Sequence, residues 1–441
     1  MSFNRRFYFI LSLFFLTQSL SYGAEKALSL RSAIDSVFSS NPSLKAVQEK
    51  LIQTQDSTAG VKSLLYPTVE AQVTAYQKKD AVGGGKALFD GNTYNDYGTN
   101  IKLTQTLFRI GSLSGISAAE KNSQISQLDL DIVKRNLIGS VIQGYYQIIL
   151  YAKNVETLNH LQKLVSESLK VAQERAKIGR GQRLDVLQIK TQAALLDAQV
   201  AEAKNQLQVA TANLAYLMSD HSEQSFRLKS VLNTPSISEI DQNVNLKNYN
   251  IPELQKDILT LEQIYDQKRA ALGQHLPSLS LIGNYNFSSY KKEDLYDPLQ
   301  NSWNLGLQLT IPLFSGLSSI HQQSEFSAKI REQEFRNKSN QDTVYFNQVT
   351  SRKKLETAFS SITTGEEALK LAVASYNEAK KNYRYATIDF FQFLSVQQAY
   401  IQAEQSLNSD KFNYIVAVTN YFVSSGQDLD KLVTVLERET K

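Results

Sequence analysis

The chain has 441 residues, of which 42% are hydrophobic and 20% charged, with 19 Gly, 7 Pro and no Cys. Lack of Cys excludes disulfide staples, thiolate metal sites and a lipid-anchored Cys, and so few Gly and Pro favour long uninterrupted elements over a loop-rich enzyme. Setting aside Arg5 and Arg6 leaves 45 Lys plus Arg against 43 Asp plus Glu, which gives nucleic acid no electrostatic footprint.

Arg5 and Arg6 precede an apolar run over 7–16, and Ser21 and Gly23 are small residues at the positions signal peptidase reads, so 1–23 is expected to be a secretory signal cut before Ala24. That run is too short to anchor, and no later segment has 18 apolar residues in a row. From there 28–64 reads as helix. Strands follow at 68–78 and 97–108, joined by a loop over 77–96 that contains Gly83, Gly84 and Gly85. A helix over 112–177 would measure ~100 Å at 1.5 Å per residue, and another spans 184–218. The polar stretch 219–250 is a connector.

The remainder repeats this order, so 24–218 and 251–426 are two copies of one unit. Asn41-Pro42-Ser43-Leu44 returns as Ile251-Pro252-Glu253-Leu254, and Leu65-Tyr66-Pro67 as His275-Leu276-Pro277. The second copy has a helix after 251, strands at 278–288 and 302–314 joined by a loop over 289–301, and helices at 317–383 and 391–424. A charged tail, 427–441, closes the chain. Ile189, Ala193, Leu196, Val200, Ala203, Leu207, Ala210, Leu214 and Leu217 step alternately by four and three, as a coiled-coil seam does. Val396, Tyr400, Ala403, Leu407, Asp410, Tyr414, Ala417 and Tyr421 keep the same frame 207 residues later.

The four strands carry the other period. Val69, Ala71 and Val73 alternate with Glu70, Gln72 and Thr74, and Trp303, Leu305, Leu307 and Leu309 alternate with Asn304 and Gln308. About ten residues with one apolar face is the pattern of a membrane barrel strand, and Tyr76, Tyr285, Phe287 and Trp303 are of the girdle-forming types. Four strands cannot close a barrel, and an open edge is intolerable in lipid. The expected fold is therefore α+β, an oligomer whose strands share a transmembrane barrel and whose long coiled-coil helices stand away from the membrane as a stalk.

These features resemble the TolC family of outer-membrane factors over nearly all of the exported chain. The resemblance rests on Asn41-Pro42, Pro67 and Pro277, Leu107-Phe108 and Leu313-Phe314. It rests most specifically on Gly179-Arg180-Gly181-Gln182-Arg183-Leu184-Asp185-Val186-Leu187-Gln188. It implies a homotrimer with a twelve-stranded barrel in the outer membrane and antiparallel helices forming a periplasmic α-barrel. A periplasmic adaptor (membrane fusion protein) and an inner-membrane RND or ABC transporter are the implied partners, for efflux or type I secretion.

The resemblance also places the closable end of the tunnel at the turns 176–184 and 383–391. Gate candidates there are Asp185, Gln392, Ser395 and Tyr383; turn tips that an adaptor would meet are Gly179, Arg180, Gly181, Ala386 and Thr387. Gln392 and Ser395 stand where relatives often carry aspartates of a cation-selective ring, Ala386 replaces an expected Gly, and Thr106 a Pro. Asp185 also has a plain structural reading, since the dipole favours an acid near any helix N-terminus.

Catalytic, cofactor and metal sites are not expected. His160, His221, His275 and His321 are scattered without ligand spacing, and Gly83-Gly84-Gly85-Lys86 has Asp80 and Ala87 where a phosphate loop needs Gly and Ser or Thr. The other functional reading is a periplasmic coiled-coil adaptor or scaffold, which would require the strands to pack as a soluble domain.

Overall fold

The computed structural model describes residues 27–79, 93–179, 181–220, 227–228, 234–238, 240, 251–314, 316–385 and 387–438. The expected signal, the Gly83-Gly84-Gly85 loop and most of the connector lie outside them. Strand β1 (Ala27–Leu28) leads into helices α1 (Leu30–Ser40) and α2 (Pro42–Ser63). The single helix expected over 28–64 is thus two. Asn41 separates them at φ −61°, ψ 119°, because the ring of Pro42 disfavours helical geometry in the residue before it. The Asn41 amide donates to the Leu217 carbonyl at 2.9 Å.

Strands β2 (Thr68–Lys79) and β3 (Thr93–Arg109) precede α3 (Ile110–Lys177), and α4 (Arg183–Leu217) completes the first copy. A two-residue strand, β4 (Arg227–Leu228), pairs in parallel with β1. The second copy contains α5 (Pro252–Gly273), β5 (Ser278–Ser289), β6 (Asn301–Thr310), α6 (Ser318–Arg384) and α7 (Phe390–Ser424). Residues 311–314, expected in the last strand, are irregular; Pro312 has no N–H to give a ladder. The stretch expected as a charged tail forms α8 (Leu429–Arg438), whose Leu429, Leu432, Val433 and Leu436 are buried.

The chain divides into two compact units. The first comprises Met1–Pro42, Arg135–Asn248 and Gln348–Lys441. One of its apolar clusters gathers Leu30 and Ile34 of α1, Tyr145 and Tyr146 of α3, Leu214 of α4, Tyr414 and Phe422 of α7, and Leu432 of α8. The two deepest tyrosines keep their hydroxyls satisfied, as burial requires: Tyr145 donates to Leu28 O at 2.9 Å and Tyr414 to Pro235 O at 2.6 Å. A second cluster joins Leu158, Leu161 and Val165 to Ile189, Leu196 and Val200, with Tyr376, Phe393 and Ile401 from the other copy.

The seam expected in α4 is buried at Ile189, Leu196, Val200, Ala203, Ala210 and Leu214. In α7 it rolls by one position at its start, where Phe393, Gln397 and Ile401 are buried and Val396 and Tyr400 only partly so. The aromatic rings of Phe390 and Phe393 take the core side there and set the rotation.

The second unit, Ser43–Lys134 and Tyr249–Asn347, holds a four-stranded antiparallel sheet in the order β2-β3-β5-β6. A bulge between Thr106 and Phe108 re-aims the end of β3. Close by, α5 and the start of α3 touch backbone to backbone: a Cβ on Gly273 would lie 2.2 Å from the Gly111 nitrogen. The same two helices share a buried charge knot. The Asp266 side chain is 3% exposed and accepts from Ser117 Oγ and Lys121 Nζ, each at 2.7 Å, and from Arg269.

Candidate functional site

Two features are built to do something beyond packing, one in each unit. In the sheet, register places Val69, Leu103, Leu281 and Leu307 on one face and Glu70, Lys102, Asn284 and Asn304 on the other. Neither face is covered by protein over β6, every residue of which is exposed. Trp303 is 71% and Leu307 66% exposed. Water would not tolerate such an apolar face bare, so it is fitted to a hydrocarbon medium. Rings stand at its outer end: Tyr285 and Phe287 meet edge to face at 5.0 Å, and Tyr296, from the β5–β6 loop, packs on Phe287 at 5.5 Å.

The polar face contains amide pairs, with Asn100 donating to Asn286 at 2.7 Å and Asn284 to Asn304 at 2.8 Å. Lys78 is ion-paired with Asp96 on the same face. Among the described residues the edges of β2 and β6 are unpaired.

The helix turns form the other feature. Gly179 takes φ +70°, open to glycine without strain, and a Cβ on Gly181 would lie 2.9 Å from Arg175 Cβ and 3.0 Å from the Ala176 nitrogen. Both glycines are therefore required by the turn's own geometry. Asp185 follows in the first turn of α4, at a helix start whose Ncap residue, Gln182, makes no side-chain cap bond. Arg180 and Ala386 lie outside the described residues. Thr387 ties the second turn, its N–H and Oγ1 both donating to Asn382 O at 2.9 Å.

Tyr383 is 6% exposed and stacks on Phe393, with centroids 4.8 Å apart and planes 8° from parallel. The Arg175 guanidinium lies over the ring at 5.1 Å, a cation–π contact. Burial pushes the phenol's pKa up and the charge of Asp185 adds to this, while Arg175 opposes both. Asp185 of the first copy is thus near enough for its charge to bear on Tyr383 of the second, whose ring Arg175 covers.

Gln392 and Ser395 are exposed and join no part of that group. Gln392 is engaged in a capping box: its N–H donates to Asp389 Oδ1 at 2.8 Å and the Asp389 N–H to its side chain at 3.3 Å. Sequence reasoning missed Asp389 and Arg175. The first was detectable, since Asp-x-x-Gln before an apolar run is a box signature; nothing local marks an arginine destined for a ring on another helix.

A sheet with one exposed apolar face and polar amides on its reverse, carried in one chain with long paired helices, fits a component of a membrane channel. Comparison with known proteins makes this specific: the model of the outer membrane efflux protein family matches residues 33–219 and 246–417, and the chain belongs to that family. It is 20% identical over 334 residues to the outer membrane protein TolC of Vibrio cholerae, covering 72% of this chain and 74% of that one. The alkaline protease secretion protein AprF of Pseudomonas aeruginosa is 22% identical over 351 residues, covering 74% and 68%. The CmeC outer membrane channel of Campylobacter jejuni has the same fold, with TM-score 0.79, 18% identity, and 96% and 94% of the two chains covered. The protein is thus an outer-membrane channel component with a periplasmic helical part, and its relatives are transport ducts rather than enzymes.

Proposed function

We propose that the chain is one protomer of a homotrimeric, passive exit duct. It receives small molecules or polypeptides from an inner-membrane RND or ABC pump through a periplasmic adaptor and releases them outside. The observation that carries this reading is the sheet with two open edges and a bare apolar face. Successive strands are antiparallel, so β6 of one copy meets β2 of the next in antiparallel sense. Such head-to-tail contact closes into a ring, and three copies supply twelve strands. The adaptor or scaffold reading needs this sheet to pack against protein, and none of the described residues covers β6. The name of AprF, a protease secretion protein, supports polypeptides among the cargo.

Asp185, Tyr383, Gln392 and Ser395 are assigned to the closable periplasmic end, with Asp185 and Tyr383 as its working pair and Gln392 chiefly a cap. Gly179, Arg180, Gly181, Ala386 and Thr387 form the tips that meet the adaptor. The test is purified protein in planar bilayers. Discrete conductance steps are expected from a species that migrates as a trimer in unheated detergent gels; a monomeric protein without pore activity would overturn the assignment.

A further inference from the structure

The polar face of the sheet is composed in rows, and the rows carry an electrostatic property that deepens the duct reading and rests on it. One row runs across the four strands as Glu70, Lys102, Asn284 and Asn304, each directly opposite the next in register. The next row outward is Gln72, Asn100, Asn286 and Ser302. In these rows one carboxylate and one ammonium stand as immediate neighbours, where directly opposed Cβ atoms lie about 5 Å apart. All the other side chains are amides and a hydroxyl, and the four asparagines are bonded in two pairs across the strands at 2.7 and 2.8 Å.

Further out, Lys78 and Asp96 repeat the arrangement as an ion pair. The row below, with Thr68, Thr104, Ile282 and Gly306, has no charge. Arg109 lies beyond the bulge on this same face, opposite Ser278 at the far end of β5, and has no opposite charge across from it.

We propose that the barrel outward of the bulge is charge-blind by construction. There, every charge in the lumen-facing rows of the described strands has an opposite charge on the neighbouring strand, and the rest of that wall is uncharged. Opposite charges ~5 Å apart are closer than the Debye length of ~8 Å at physiological ionic strength, so an ion in the lumen meets a dipole rather than a fixed charge. Wall amides and hydroxyls replace part of a solute's hydration equally well for cations, anions and neutral polar groups, being both donors and acceptors. Cargo is therefore not sorted by charge here, and Glu70 and Lys102 are the residues that maintain this, each by neutralising the other.

The experiment is a reversal-potential measurement on the full-length protein in planar bilayers under a KCl gradient. Lys102→Gln should shift the cation-to-anion permeability ratio about twofold toward cations at ~0.1 M salt, and by much less at 1 M, where the Debye length falls to ~3 Å. Glu70→Gln should shift it by a similar factor toward anions, and the double substitution should restore the parental ratio. The exchanged pair, Glu70→Lys with Lys102→Glu, should also keep that ratio, and it serves if a single variant fails to assemble. Single variants that leave the ratio unmoved, or a double variant that does not restore it, would overturn the proposal. Absence of conductance from the unsubstituted protein would strike the duct reading instead.

Discussion

At the scale of single residues the two sites differ in how much they owe to charge. Asp266 is held ionised in a nearly dry place: burial works to raise its pKa, but Lys121, Ser117 and Arg269 together outweigh it and the carboxyl is lowered below its ordinary value. Because the folded-state pKa is depressed, its contribution is fully present above the unfolded value of ~3.9 and is lost as pH falls through the folded one. Asp266→Asn should cost about 1–3 kcal/mol, the penalty for leaving buried donors poorly matched. The loss should appear as a lower melting temperature at pH 7 and fade as the parent is acidified below pH 4. At the turn, Asp185→Ala removes the acid whose charge bears on Tyr383, and single-channel recordings should show a lower opening threshold or altered ion selectivity. Unchanged gating and selectivity would leave Asp185 only its helix-end role. The position of Asp185 was legible in the sequence because its neighbours carry a family pattern. Its surroundings were not, since Arg175 and Tyr383 lie on other helices and no local spacing encodes their approach to one another.

At the scale of elements, periodicity spoke plainly where one face of a helix or strand meets one medium. The heptad steps of α4 are buried as expected, and the four alternating strands pair in order with their apolar residues on one face. Periodicity failed where a single residue decides, as at Pro42, which splits a helix, and Pro312, which ends a strand early. It also passed over α8: Asp430, Lys431, Glu437 and Arg438 dominate the composition of that stretch, yet its leucines and valines at helical spacing are buried in the core. The start of α7 offers an element-level test. Asp389→Ala removes the cap and should cost about 1 kcal/mol. In a double-mutant cycle, Gln392→Ala should lose most of its effect once Asp389 is gone, because the two act as one box. Full additivity would return Gln392 to a gating role. Phe393→Ala should cost more, about 3–5 kcal/mol for a large buried ring, and should also release Tyr383 from its stack.

At the scale of the whole molecule, the prediction concerns which face of the sheet meets lipid. Leu307→Arg would put a cation on the apolar face and should cost about 2–4 kcal/mol if it lies near the bilayer midplane, seen as loss of the trimer band in unheated gels. Gln308→Arg, one residue along and on the opposite face, should assemble normally. Equal tolerance of both would mean that the apolar face meets something other than lipid.

A sheet one layer thick, with β6 bare on both sides and both edges unpaired among the described residues, has a consequence in time as well as in space. A lone copy in water presents what aggregating strands present, an apolar surface beside unsatisfied backbone groups. For the proposed homotrimer, its productive route is a meeting of several copies at the membrane surface. The rate of barrel formation should therefore rise with more than the first power of chain concentration, with a lag at low expression. Below that threshold the fate of each newly exported chain is a race between encounter with its own kind and clearance.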